Sequence, residues 1–133
     1  MKRYDWTRRL YGVIEAHKDT TFGWGQHDCC LFAARCVDAM CDTEYEAGLQ
    51  AEYQDERSAM EYIASFGSIK SAVDSWLGKP QNLNFTQRGD VVLFDNDGRE
   101  TLGICLGRDI VSTGESGLVS VSMVRAICSW AVR

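Results

Sequence analysis

The stretch Phe22-Gly23-Trp24-Gly25-Gln26-His27-Asp28-Cys29-Cys30-Leu31-Phe32 sets a carboxylate, Asp28, directly before a thiol, Cys29, two side chains whose adjacency could do chemistry. Asp is a favoured helix N-cap, because its carboxylate accepts the unpaired N–H groups of the first turn. A helix-patterned apolar run follows, so Asp28 is expected to cap and Cys29 to take the first helical position. A thiol there feels the positive end of the helix dipole, which lowers its pKa and raises its thiolate fraction. That is how nucleophilic cysteines are often presented. A thiol of ordinary pKa ~8.5 still needs a base or a cationic neighbour to act at neutral pH. The chain has two histidines, His17 and His27. His27 lies on the turn into the helix, two residues before the thiol. Phe22, Trp24 and Gly25, with His27 and Asp28, are expected to shape a groove beside Cys29.

Four of the six cysteines (Cys29, Cys30, Cys36, Cys41) fall within thirteen positions, but no C-x-x-C pair occurs among them. Zinc sites favour such tight paired spacings. Cys36 and Cys41 are five apart and diverge on a continuous helix. The expectation is therefore free thiols, with Cys30 and Cys36 as small core residues and no metal or cofactor. No apolar h-region follows the basic N-terminus, so reduced thiols are the default.

At 133 residues, 45% hydrophobic and 25% charged, the chain fits one globular domain. The net charge of −5 is uneven, about +2 over residues 1–20 and −7 over residues 37–61. Such a surface gives no pull toward nucleic acid, and no apolar run is long enough to span a membrane.

These residues need elements to position them. Trp6, Leu10, Val13, Ile14 and His17 fall on one helical face, with Asp5 as a possible cap and Lys18 at the end. His17 closes that stripe and reads most simply as its last packed residue. A second helix, about Cys29 to Met40, is apolar nearly all round and is expected at the centre. Residues 41–56 are acidic and poorly patterned, and read as a solvated excursion. Helices follow from about Asp55 to Phe66 and from Ser68 to Leu77, stopped by Gly78 and Pro80. The period then changes. Asp90 to Phe94 reads as a strand, Asp95-Asn96-Asp97-Gly98 as a hairpin turn, and Thr101 to Leu106 as its partner. Ile110 to Thr113, Leu118 to Val124 and Ala126 to Val132 complete a meander of about five strands. The fold class is α+β, with residues 1–80 mainly helical and 85–133 an antiparallel sheet.

A helix opening on Asp28-Cys29 and a later strand reading Arg88-Gly89-Asp90-Val91-Val92-Leu93-Phe94 together resemble the NlpC-type peptidases. These papain-like cysteine peptidases cut peptide bridges in bacterial cell walls. Phe22-x-Trp24-Gly25-x-x-Asp28-Cys29-Cys30-Leu31-Phe32-Ala33-Ala34 is similar to a narrower branch, small proteins encoded among the tail genes of bacteriophages and prophages. The resemblance implies one NlpC-like domain with Cys29 at the nucleophile position. The family's catalytic His falls at Thr101, in Thr101-Leu102-Gly103-Ile104. The third polar residue, which orients that imidazole, falls near Ser112 or Thr113. Thr101 can neither activate a thiol nor protonate a leaving amine, and such acid–base help is typically worth 10²–10⁴-fold. A nearby Glu100 or Asp97 would raise the thiol pKa.

The resemblance thus implies a phage tail or tail-tip structural or assembly protein with a vestigial active site. Its partners would be other tail proteins, with a residual contact to peptidoglycan, and its place the virion after assembly in the host cytoplasm. Two other readings stand beside it. One is an active cell-wall peptidase using Cys29 with His27 or His17. The other is a Cys-rich metal or iron–sulfur module.

Overall fold

The stripe from Trp6 to His17 forms α1 (Trp6–His17), packed on the core through Leu10. The structure, a computed structural model, describes residues 1–133. Asp5 stands at the N-cap but makes no capping bond; its carboxylate takes the Arg9 Nε–H at 2.9 Å instead. α2 (Cys29–Cys41) is the central helix, and Leu31, Phe32, Cys36 and Met40 are fully buried on it. It packs against α1, against the next helix and against the sheet. Cys30 and Cys36 are core residues, as the apolar pattern implied.

The expected excursion over residues 41–56 instead contains a helix, α3 (Tyr45–Glu52). Its cap lies elsewhere in the chain. Glu44, at the N-cap, makes no capping bond, and Asp38 of α2 accepts the N–H groups of Tyr45 and Glu46, both at 2.9 Å. Leu49 and Tyr53 then bury against α2 and fix the segment. α4 (Glu56–Phe66) opens on a reciprocal capping box between Asp55 and Ser58. α5 (Ile69–Leu77) is capped by Ser68 and ends at Gly78.

The second half forms β1 (Val91–Asn96), β2 (Arg99–Cys105), β3 (Asp109–Ser112), β4 (Val119–Ser122) and β5 (Ala126–Trp130). Asp97 (φ 53°) and Gly98 (φ 90°) both take positive φ in the β1–β2 turn, the geometry that matches strand twist in a two-residue hairpin. All pairings are antiparallel, in the order β4-β3-β2-β1-β5. The last strand therefore does not extend a meander beyond β4; it returns to pair with β1. Val91 to Phe94 is buried on both faces without alternation, and such a run needs a neighbour on each side. β5 supplies the second one.

Alternation divides the sheet between two clusters. Val91, Leu93, Leu102, Ile104 and Val111 join the α2 core, while Val92, Phe94, Cys105 and Ile110 form a small cluster on the other face. Asp90 anchors the start of β1. Its fully buried carboxylate accepts from Gln81 Nε2 (2.7 Å), the Gln87 N–H (2.9 Å) and the Val132 N–H (3.0 Å), and pairs with Arg133. No helix is long and apolar enough to cross a membrane.

Candidate functional site

Asp28 caps α2 as its position implied, accepting the Leu31 N–H at 2.9 Å. The same carboxylate accepts the Gly25 N–H at 3.1 Å and the Tyr53 hydroxyl at 2.9 Å. It thereby joins the aromatic loop, the start of α2 and the end of α3. Gly25 is required here: its φ is +77°, and a Cβ would lie 2.3 Å from the Gln54 carbonyl oxygen. Burial, and then the nearby Cys30 and Asp28, push the Tyr53 phenol well up, so it stays a protonated donor.

Cys29 opens α2, half-buried. Its surroundings follow from the register of the sheet. β2 pairs with β3 only at Ile104–Val111 and Cys105–Ile110. At Leu102 the two strands have parted, leaving that residue's outward backbone groups without a ladder partner. The Leu102 carbonyl accepts the Ser112 hydroxyl at 2.6 Å. The Cys29 thiol is shifted below its ordinary value, first by the neighbouring Cys30 thiol. Burial opposes this, the Leu102 backbone reinforces it, and the charges of Asp28 and Arg99 pull in opposite directions. The thiols of the other five cysteines are all shifted up. The carboxylate felt by the thiol is Asp28 rather than Glu100 or Asp97.

The aromatic loop stands beside this thiol. Phe22 meets Trp24 edge-on at 5.1 Å, and the Arg99 guanidinium lies 5.7 Å from the Trp24 ring centroid. The loop closes on itself through a bridge between Gly23 and His27, and Phe22 N–H is held by the Gly114 carbonyl at 3.2 Å.

Neither imidazole joins Cys29. His27 is buried and stacked on His17 at 5.4 Å, with Nδ1 3.1 Å from an Arg35 guanidinium nitrogen. Its Nε2 has no polar partner, and the ring meets Phe32 edge-on. Burial, then the charges of Arg35 and His17, lower the His27 pKa to about 4, so it is neutral at pH 7. His17 is shifted down by burial and by Arg35. Neither ring is among the groups that act on the Cys29 thiol.

Thr101 immediately precedes Leu102, so alternation sets its side chain on the face of Gly103 and Cys105, away from α2. Its hydroxyl donates to the Arg99 carbonyl at 3.2 Å. Ser112 is fully buried and holds the Leu102 peptide rather than an imidazole; Thr113 is buried next to it. Neither imidazole is placed beside Cys29, where it could carry a proton to a leaving amine. Sequence reasoning missed Leu102, Arg99 and Tyr53. Leu102 acts through its backbone, and Tyr53 lies 25 positions from the carboxylate it binds. No cluster of three or more His, Cys, Asp or Glu side chains is arranged to hold a metal ion.

No curated protein matches the chain. The family described as a domain of unknown function, DUF6950, matches residues 1–132. That span takes in the aromatic loop, the Asp28–Cys29 helix start and every strand of the sheet, and the chain belongs to this family.

Proposed function

We propose that this protein is a structural or assembly component of a bacteriophage tail, near its tip. In this reading it is built on a papain-like NlpC-type domain that has stopped cutting peptides. One observation carries the reading: both imidazoles lie away from the Cys29 thiol, stacked on each other with His27 beside Arg35. Peptide cleavage needs a proton delivered to the departing amine, and a thiolate with hydrogen-bond donors alone does not deliver one. What remains is an ordered helix start beside an aromatic loop, suited to holding a partner. The partners are other tail proteins, hub or tail-tip components, with a residual contact to peptidoglycan peptides in the old cleft. The protein is assembled in the host cytoplasm and resides in the virion.

The experiment is a Cys29→Ala substitution in an inducible prophage carrying the gene, compared with deletion of the gene. Deletion is expected to give tails that fail to assemble, and Cys29→Ala to leave both assembly and infection intact. A second reading, an active cell-wall peptidase using Cys29 with His27 or His17, draws on the lowered thiol pKa. It requires the purified protein to release peptides from peptidoglycan fragments and to lose that activity in Cys29→Ala. Such release would overturn the proposal.

A further inference from the structure

A cavity of about 260 Å³ opens between α2, α3 and α5. Cys30 and Leu102 line it, but none of Phe22, Trp24, Cys29 or Thr101 does. Its floor is apolar, made by small side chains of α2 such as Ala33 and Ala34 and by Leu102 of the sheet. An apolar cavity of ~150 Å³ already admits benzene. This one has room for a ring with a substituent.

Two features of the lining select more narrowly. Three aromatic rings, Tyr45, Tyr62 and Trp76, stand around it, and the Tyr45 hydroxyl donates to the Trp76 carbonyl at 3.1 Å, tying α3 to α5. Two exposed carboxylates, Glu44 and Glu52, also line it and therefore sit where it meets solvent. Because Asp38 caps α3, Glu44 is free of that task. Neither carboxylate is among the ion pairs of the protein. The charge of Glu52 reaches inward and, after burial, helps raise the Tyr62 phenol. Aromatic faces and carboxylates at the opening of an apolar cavity attract the same kind of guest, an organic cation.

Gly48 adds an independent sign. It lies in the middle of α3 and lines the cavity, although glycine there weakens a helix relative to alanine. Its φ is not positive, and nothing lies within 4 Å of the place a Cβ would occupy. Neither backbone strain nor crowding demands glycine. What its missing side chain leaves is open space on the cavity wall.

We propose that this cavity binds a small organic ammonium ion, quaternary or tertiary, whose hydrocarbon body fills the apolar floor and whose charge faces the rings, Glu44 and Glu52. The site is independent of the tail role proposed above. The experiment titrates the full chain with benzyltrimethylammonium and with its neutral carbon isostere, neopentylbenzene, by calorimetry and by the ring resonances of Trp76 and Tyr62. Saturable one-to-one binding of the cation is expected, with the isostere at least about fivefold weaker. The Glu44→Gln/Glu52→Gln protein should bind the cation at least about fivefold more weakly. Gly48→Leu should abolish binding, with melting curves confirming that each variant folds. No saturable binding, equal binding of the isostere, or indifference to the paired Glu→Gln change overturns the proposal. If Gly48→Leu does not fold, shifts at Trp76 and Tyr62 alone decide the location, and their absence counts against the cavity.

Discussion

Ser112 gives its hydroxyl to the Leu102 carbonyl at 2.6 Å, at the point where β2 and β3 have parted. The Leu102 backbone is in turn among the groups that favour the Cys29 thiolate, so a buried hydroxyl on β3 bears on a thiol on α2. This makes Cys29 chemically distinct among the six cysteines without any imidazole.

Alkylation at pH 7 should therefore choose Cys29. Cys41 and Cys128 are also half-buried, but their thiols are shifted up where that of Cys29 is shifted down. With limiting iodoacetamide, Cys29 should be modified about tenfold faster than either, because the thiolate is the reacting species. Ser112→Ala should narrow that ratio by freeing the Leu102 peptide. Peptide mass spectrometry after short exposures reads both, and equal labelling of the three cysteines would contradict the assignment.

Asp28 should matter more for stability than an ordinary helix cap. Asp28→Ala removes the cap and leaves the Gly25 N–H and the buried Tyr53 hydroxyl without their acceptor. The expected loss is about 3 kcal/mol, near 1 for the cap and about 1 for each of the other two bonds. Tyr53→Phe should cost about 1 kcal/mol. Urea denaturation compares them, and equal losses would show that the three bonds do not act together.

His27 should make the protein acid-sensitive in a defined window. Its pKa falls from an ordinary ~6.5 in the unfolded chain to about 4 in the fold. The unfolded state therefore takes up the proton first. Stability from this group is complete above ~6.5 and is lost as pH falls toward 4, by up to about 1.4 kcal/mol per pH unit. His17, also shifted down, adds in the same direction. His27→Phe should be less stable at pH 7, where it leaves Arg35 without its ring nitrogen, yet show a shallower decline between pH 6.5 and 4.5. A decline as steep as that of the unsubstituted protein would remove His27 as the cause.

Asp90 and Arg133 should prove unequal partners. Removing the carboxylate strands the Val132 and Gln87 N–H groups and the Gln81 amide, so Asp90→Ala should cost about 3–5 kcal/mol. Arg133 is 45% exposed, and Arg133→Ala should cost about 1 kcal/mol or less. Urea midpoints, followed through the near-ultraviolet signal of Trp130, test both values. A large loss on Arg133→Ala would mean that the ion pair, rather than the backbone bonds, fastens the C-terminal segment.

What could be read from the chain was whatever the chain settles locally. Asp28, Asp55 and Ser68 each bond an N–H three residues on, and Asp97-Gly98 closes its own turn, so caps and hairpin were visible from spacing. α3 was not, because Asp38 caps it from the preceding helix and its own first turn carries no such signal. The aromatic loop with Phe22 and Trp24 stands out by residue type, but the direction of His27 does not. The Gly23–His27 bridge turns that ring toward His17 and Arg35, an outcome of loop closure rather than of residue spacing. The partner of β5 was equally hidden, since an apolar strand does not announce which open edge it will fill.

That returning strand governs how the chain comes off the ribosome. β1 is finished early in the sheet-forming half, but one of its edges stays unpaired until residues 126–130 have been synthesised and have folded back. Until then the nascent chain displays an apolar, hydrogen-bond-hungry strand, the kind of edge that recruits other chains. Truncations ending after β4 should therefore aggregate rather than fold into a smaller sheet. The sheet closes that edge only when the last strand is in place.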